Sequence, residues 1–268
     1  MGADIKALRT RIKSVDSTLH LTKAMGLVAS SKIRRATESM LRGREYLANL
    51  ERVMDSLTSC PECRKSPYMR SPGENARTRM IIIAGDRGLA GGYNANVFRL
   101  AAQYPGVEFI PIGKRACDRF GKPQISSETY TREAAYSLAG TLCDDFAKGK
   151  FDRLGILSTR YVSVLTQEAF VRWVLPLAPN PEAKSVAAIF EPDELTILNA
   201  AAQEYVAGVI AASVRESFAS EVAARRAAMD SAEKNANEMI DNLQLQYNRA
   251  RQSTITQEIT EIVAGSGA

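Results

Sequence analysis

Tyr247-Asn248-Arg249-Ala250-Arg251-Gln252-Ser253-Thr254-Ile255-Thr256-Gln257-Glu258-Ile259-Thr260-Glu261-Ile262-Val263 closes a run, from about Asp193 to Ala264, that holds no proline and a single glycine, Gly208. Continuous helix over that run would reach roughly 100 Å at ~1.5 Å per residue. No compact domain contains a helix of that length, so the run predicts a protruding rod that something holds or that reaches something. Asp193, directly after Pro192, is placed to cap it. Leu195, Leu198, Ala202, Tyr205, Val209 and Ala212 keep a 3-4 seam. The stripe then drifts through the alanine-rich stretch Ala219 to Ala236 and re-emerges as Ile255, Ile259 and Ile262. Such drift predicts a partner that changes along the rod, or a stutter in a supercoil.

A partner for the rod is present at the other end of the chain. All ten prolines fall between Pro61 and Pro192, so two proline-free arms flank a proline-containing middle. In the first arm a heptad seam runs through Ile5, Leu8, Ile12, Val15, Leu19, Thr22, Gly26, Ala29, Ile33, Ala36, Met40, Gly43, Leu47, Leu50, Met54 and Leu57. Spacing of this kind, kept over so many turns, marks a coiled coil. The seam thins at Thr22, Gly26 and Ala29, where a partner backbone can come close. Gly26 and Gly43 each cost about 1 kcal/mol of helix propensity relative to alanine, which packing must offset. A domain inserted between the arms permits antiparallel pairing, and the longer last helix then overhangs at its C-terminal tip.

The middle reads as alternating strands and helices. Arg79 to Ala84 is a buried strand, Gly85 to Gly92 a glycine-rich turn and Asn94 to Gln103 a helix. Val107 to Ile112 is a strand, Lys114 to Phe120 a helix, and Ser137 to Lys148 a helix with Leu138, Leu142 and Phe146 at helical spacing. Leu154 to Thr159 is a strand with a hairpin partner near Phe170 to Leu175. This order argues for a layered domain on a mostly parallel sheet. The predicted fold is α/β: a long antiparallel coiled coil of N- and C-terminal helices with an inserted Rossmann-like α/β domain. Its parts are an N-terminal helix over 1–58, a linker loop over 59–77, the α/β domain over 78–192 and a C-terminal helix over 193–268.

Composition excludes several classes. The chain has 268 residues, 45% hydrophobic and 24% charged, as in a soluble protein. It shows no run of ~18 apolar residues, and its start lacks a signal-peptide core. Residues 1–44 carry ten Lys/Arg against Asp4, Asp16 and Glu38, a local +7; from Glu194 onward six basic residues face ten acidic ones, a local −4. Opposite signs at the two ends fit arms that lie together. Nucleic-acid binding by the basic end is the rival reading, but no aromatic residue precedes Tyr46 to stack on bases. With His20 the only histidine, histidine-based metal or triad chemistry has little material.

Three motifs remain. Ala84-Gly85-Asp86-Arg87-Gly88-Leu89-Ala90-Gly91-Gly92-Tyr93-Asn94 has the strand-turn-helix setting of a phosphate loop. It lacks a Gly-Lys-Ser/Thr ending and the G-x-G-x-x-G spacing, so a tight turn needing glycine is the favoured reading. Nucleotide binding by this domain on a non-catalytic coiled-coil scaffold is the alternative. Cys60-Pro61-Glu62-Cys63 supplies two of the four ligands zinc wants and sits in a proline loop. Cys117 and Cys143 could complete a site; otherwise Cys60 and Cys63 are an inert or switchable thiol pair. Asp144-Asp145 reads as a solvated helix face, Met25 as seam packing, and Arg249, Arg251 and Gln252, ahead of the isoleucine stripe, as a tip held inside something. No catalytic, cofactor-binding or metal-binding residue emerges.

Ile12-Lys13-Ser14-Val15, Leu21-Thr22-Lys23-Ala24-Met25 and Val28-Ala29-Ser30-Ser31-Lys32 resemble the N-terminal signature of the gamma subunit of F-type ATP synthases. Asp86-Arg87-Gly88-Leu89, with Gly91-Gly92 and Asn94 to Asn96, resembles that family's middle segment, and Tyr247 to Gly265 its C-terminal signature. The resemblance spans nearly the whole chain in order. It implies a central rotor shaft without catalytic residues or cofactors. The shaft stands inside a ring of three alpha and three beta subunits, its α/β foot on the epsilon subunit and the c-ring, at the cytoplasmic face of a bacterial plasma membrane. By matching position, Lys23 and Met25 would face beta near a lower bearing, Arg251 and Gln252 would make a polar contact with beta higher up, and Phe190 and Glu191 would touch the c-ring loops. The family usually has tyrosine at position 190 and often cysteine at position 90, which is Ala90 here. Gly26 stands where a larger residue often follows Met25, implying a locally softer shaft. Cys60 and Cys63 lie outside the family pattern, and the inserted segment of the plant-type redox switch is lacking.

Overall fold

A computed structural model describes residues 2–73, 75–180 and 190–266. Helix α1 (Gly2–Thr58) and helix α5 (Glu194–Ser266) enclose, in sequence, β1 (Thr78–Ile83), α2 (Tyr93–Ala101), β2 (Glu108–Ile112), α3 (Lys114–Phe120), α4 (Arg132–Ala147), β3 (Arg153–Tyr161) and β4 (Gln167–Leu175). The chain packs as two units, one of Met1–Ser30 with Arg225–Ala268 and one of Ser31–Ala224.

The first unit is a helix pair. Gly26 lies on Arg226 and Met229, and Lys23 faces Glu233, so α1 and α5 run antiparallel here. All sixteen seam positions predicted on α1 are buried or half-buried. On α5 the seam is Met229, Ala232, Ala236, Ile240, Leu243, Tyr247, Ala250 and Thr254, again at 3-4 spacing. Beyond Thr254 every described side chain is exposed. Ile255, Ile259 and Ile262 are therefore not a return of the stripe that meets α1, because α5 has outrun its partner.

The second unit is a sheet ordered β2-β1-β3-β4, with β1 parallel to both neighbours and β3–β4 an antiparallel hairpin. Alternate strand residues point to opposite faces. Ile81, Ile83, Ile112, Leu154 and Ile156 pack with Leu142 and Phe146 of α4 and with Leu57 and Val209 of the long helices. Ile82, Ala84 and Leu157 pack on Val97 and Ala101 of α2 and Ala116 of α3. On this side too the long helices are antiparallel: Gly43 meets Arg215 and Ala212, and Gly208 meets Leu50 and Tyr46. Gly208 is the tighter crossing, since a Cβ there would lie 2.9 Å from Leu50 Cδ2.

Val206 to Ala224 is buried or half-buried at every position. A helix enclosed on several sides needs no single stripe, which is why the apolar pattern drifts there. The same enclosure explains a stretch of α5 that is long and apolar enough to cross a membrane, with mean hydropathy 1.3, of which 56% is buried in the protein.

Local departures from the sequence reading have local causes. α4 starts at Arg132 rather than Ser137, because Thr131 caps it by accepting from the Ala134 N–H at 3.2 Å. The stretch 59–77 contains two short 3-10 turns, Glu62–Lys65 and Pro67–Met69. Asp145 is no solvated side chain: it takes Arg79 at 2.7 Å and Lys150 at 2.6 Å, tying the start of β1 to α4. Asp144 is exposed, as expected. Asp193 caps α5, accepting from the Thr196 N–H and hydroxyl, both at 2.8 Å.

Candidate functional site

The thin part of the α1 seam is filled from α5. Thr22, Gly26 and Ala29 are buried. Arg226 donates from Nη1 to the Gly26 carbonyl at 3.1 Å, while its Nε reaches Asp230 at 2.9 Å. A Cβ on Gly26 would lie 3.4 Å from Arg226 Nη1 and 3.5 Å from Met229 Cβ. These are ordinary contact distances, so the charge-assisted hydrogen bond between the helices does not depend on the glycine; it braces the seam at the point where a softer shaft was expected. Arg226 was not singled out by sequence reasoning; a charged pair, Arg225-Arg226, inside an alanine-rich run was the available signal.

Beside this seam Lys23 is exposed and lies 3.6 Å from Glu233, an exposed pair worth little by itself. Met25 is half-buried. Arg251 and Gln252 are exposed at the other end of the same unit. Arg251, Ile255, Ile259 and Ile262 fall at 4-4-3 spacing on one face of α5, with the isoleucines 44%, 56% and 70% exposed. The structure therefore separates the four residues expected to touch beta into two sets, Lys23 with Met25 and Arg251 with Gln252. A guanidinium followed by an uncovered isoleucine row suits a partner that supplies an acidic and then an apolar surface.

The glycine-rich turn is occupied by the protein itself. A Cβ on Gly85 would lie 2.7 Å from Glu221 Cδ and 3.0 Å from each carboxylate oxygen, and Glu221 is 2% exposed. A carboxylate of α5 therefore fills the space where a phosphate loop would hold phosphate. Asp86 staples the same turn. It accepts from the Ser126 hydroxyl and from the N–H groups of Ser127 (2.9 Å), Lys114 (3.0 Å) and Glu128 (3.1 Å). Burial pushes its pKa up, but these four donors outweigh burial and hold the carboxyl below its ordinary value. Asn94 closes the turn, accepting from Gly85 N–H and donating to the Arg87 carbonyl. Gly113 is obligatory: its φ is +96°, and a Cβ would lie 1.9 Å from the Ala84 oxygen. Arg44 of α1 pairs with Glu216 of α5 and Lys23 with Glu233, so the expected complementarity of the two ends takes the form of specific bridges, whereas Lys32 pairs with Glu128 of the middle domain.

Cys60 is half-buried and Cys63 buried, both free thiols. Burial, then the neighbouring Cys60, pushes Cys63 up to about 11; burial pushes Cys143 up to about 12. Both are poor thiolates at neutral pH. Cys117 is buried, with its sulfur accepting from the Ile125 N–H at 3.4 Å. Among the described residues no three His, Cys, Asp or Glu side chains converge on a metal position. Phe190 is half-buried against the main core, and Glu191 is exposed beside it, before the cis Glu191–Pro192 bond. The phenyl ring at position 190 packs inward, so no hydroxyl is missed there by the fold.

The model of a family described as ATP synthase matches residues 4–268. The chain is 40% identical to the ATP synthase gamma chain of Ruminococcus albus over 98% of both chains, and 36% identical to that of Acinetobacter baylyi over 99% of both. In fold it resembles a chain of the Euglena gracilis mitochondrial ATP synthase (TM-score 0.68, 17% identity, covering 100% of this chain and 95% of the other). A Tetrahymena thermophila mitochondrial ATP synthase chain from a central stalk and c-ring structure gives a TM-score of 0.60 at 18% identity, covering 79% and 99%. Two packed helices, a sheet domain whose glycine turn is closed by its own glutamate, and a family match over almost the entire length lead to one assignment: the chain belongs to the ATP synthase gamma chain family.

Proposed function

We propose that the chain is the central-stalk rotor subunit of a proton-translocating F-type ATP synthase, carrying torque between a membrane c-ring and the catalytic sites of the beta subunits. The observation that carries this reading is the end of α5, where a helix outruns its partner and presents Arg251 and an isoleucine row that none of the described residues covers. Paired helices resist twisting better than one. A seam of small residues keeps such a pair slim, and the Arg226 brace keeps it closed. The chain contributes no catalytic group. Its work is to present different faces to three alpha–beta pairs in turn.

On this reading Lys23 and Met25 touch beta at one level, and Arg251 and Gln252 touch it at another. Phe190 and Glu191 lie at the foot, toward the c-ring, with the epsilon subunit alongside. On the same reading the complex stands at the cytoplasmic face of a bacterial plasma membrane, which the similarity to bacterial gamma chains supports. Co-expression with alpha and beta subunits tests the assignment: a complex of three alpha, three beta and one copy of this chain is expected, and failure to co-purify would overturn it. Arg251→Ala tests the tip. The residue is exposed, so melting stays unchanged while ATP-driven proton pumping falls; normal pumping would remove Arg251 from the contact.

A further inference from the structure

Several arginines in this protein are held in ion pairs, among them Arg44 with Glu216, Arg172 with Glu51, Arg77 with Asp152, and Arg79 with Glu108 and Asp145. One cavity gathers three arginines, two of them outside any such pair. It encloses about 330 Å³ between α1, α5 and the first residue of α4. Gly43, Gly208 and Ala211 line it without long side chains, and Arg42, Arg132 and Arg215 surround it. Arg132 is bridged to Glu204 and stacks over the Tyr46 ring at 5.3 Å. Arg42 and Arg215 have no acidic partner within 4.0 Å among the described residues. Three guanidinium groups thus face one carboxylate, and that carboxylate is held ionised below its ordinary pKa by the Tyr46 hydroxyl and by Arg132.

We propose that this cavity is a binding site for a phosphate-type dianion. An excess of two positive charges matches a phosphate dianion in charge, and planar guanidinium groups grip phosphate oxygens with two parallel N–H donors. Arg215 lies along α1 over Gly43: a Cβ there would sit in contact with its side chain, 3.4 Å from Cδ and 3.6 Å from Nη1. The cavity is at the small end of the range for ligand pockets, room for a phosphate or diphosphate group. An occupant would link α1, α4 and α5, since each contributes one of the three arginines.

Calorimetric titration of the full chain with inorganic phosphate, pyrophosphate and ADP, at matched ionic strength, tests this. Saturable binding of pyrophosphate at ~1 mM or tighter is expected. Arg42→Gln and Arg215→Gln should each weaken it about tenfold, the usual loss for one charged hydrogen-bonding partner. Arg42 is exposed, so that variant keeps the parent melting point even if Arg215→Gln does not. ADP binding as tightly as pyrophosphate would assign a nucleotide-borne phosphate; binding confined to the inorganic ions would assign a free one. Absence of saturation in the parent, or equal affinity in Arg42→Gln, overturns the proposal.

Discussion

Gly85→Ala is the substitution that most directly measures the packing of α5 against the sheet. The backbone of Gly85 lies outside the left-handed region, so alanine is conformationally acceptable and gains about 0.4–1 kcal/mol through the unfolded chain. Against that stands the added Cβ, 2.7 Å from Cδ of a 2%-exposed glutamate. Overpacking of this kind costs about 1–3 kcal/mol. Pushing a buried carboxylate off its donors costs about 1–3 kcal/mol more. The net is a destabilisation of roughly 2–4 kcal/mol, or about 4–16 °C in melting temperature for a chain of this size. Calorimetric melting of the purified chain reads it. A cycle with Glu221→Ala isolates the contact: with the carboxylate gone, Gly85→Ala should cost little, leaving a coupling of about 2–4 kcal/mol. A Gly85→Ala variant that melts within about 1 °C of the parent would refute the idea that Glu221 fills the turn.

Gly26→Leu should displace Arg226 from the Gly26 carbonyl and widen the helix pair, slowing ATP hydrolysis and weakening coupling in the assembled complex; unchanged rates would mean that the seam has slack. Asp86 has a depressed folded pKa, so its contribution to stability is complete above the unfolded value near 3.8 and is lost as pH falls through the folded value. Asp86→Asn should therefore melt lower at pH 7, by about 2–3 kcal/mol for the donors left mismatched, with the gap to the parent closing between about pH 5 and pH 2; a gap independent of pH would contradict this. In native maleimide labelling at pH 7.5, Cys60 should react first, while Cys63 and Cys143, pushed up to about 11 and about 12, stay protected until the chain unfolds. Prompt labelling of Cys63 would instead point to an open, reactive pair.

The α1 heptad was legible because the buried face stays on one side of the helix over all sixteen seam positions, and a fixed period then survives intact in the sequence. The strands of the sheet were legible because Met80 to Ala84 and Leu154 to Leu157 are buried on both faces and stay apolar throughout. Three features were not legible. The start of α4 depends on a threonine hydroxyl, Thr131, within a polar stretch that resembles a loop. The role of Asp145 depends on Arg79, more than sixty residues away, and no local pattern encodes such a pair. The glycine-rich turn gave its conformation but not its occupant, since Glu221 lies on a different element and its burial shows only in the packed structure. For the residues expected at partner contacts, family resemblance supplied candidate positions already grouped as Lys23 with Met25 and Arg251 with Gln252, and the fold adds their exposure and their neighbours.

Helix α5 meets three environments, and each leaves a different trace. From Val206 to Ala224 it is enclosed, so small and apolar residues occur on every side. From Met229 to Thr254 it has one partner, α1, and a 3-4 seam returns. Past Thr254 none of the described residues supplies a partner, yet Ile255, Ile259 and Ile262 stay on one face. A solvated helix end gains nothing from a row of isoleucines at helical spacing, whose exposure costs free energy. On the proposed function the row is covered by a surface of another subunit. That surface must accept α5 alone, without α1, and Arg251 stands at the point where one partner is exchanged for the other. Replacing Ile255 and Ile259 together by serine should therefore leave the α1–α5 seam and its melting unchanged while weakening assembly, a combination that no purely structural role of the row would produce.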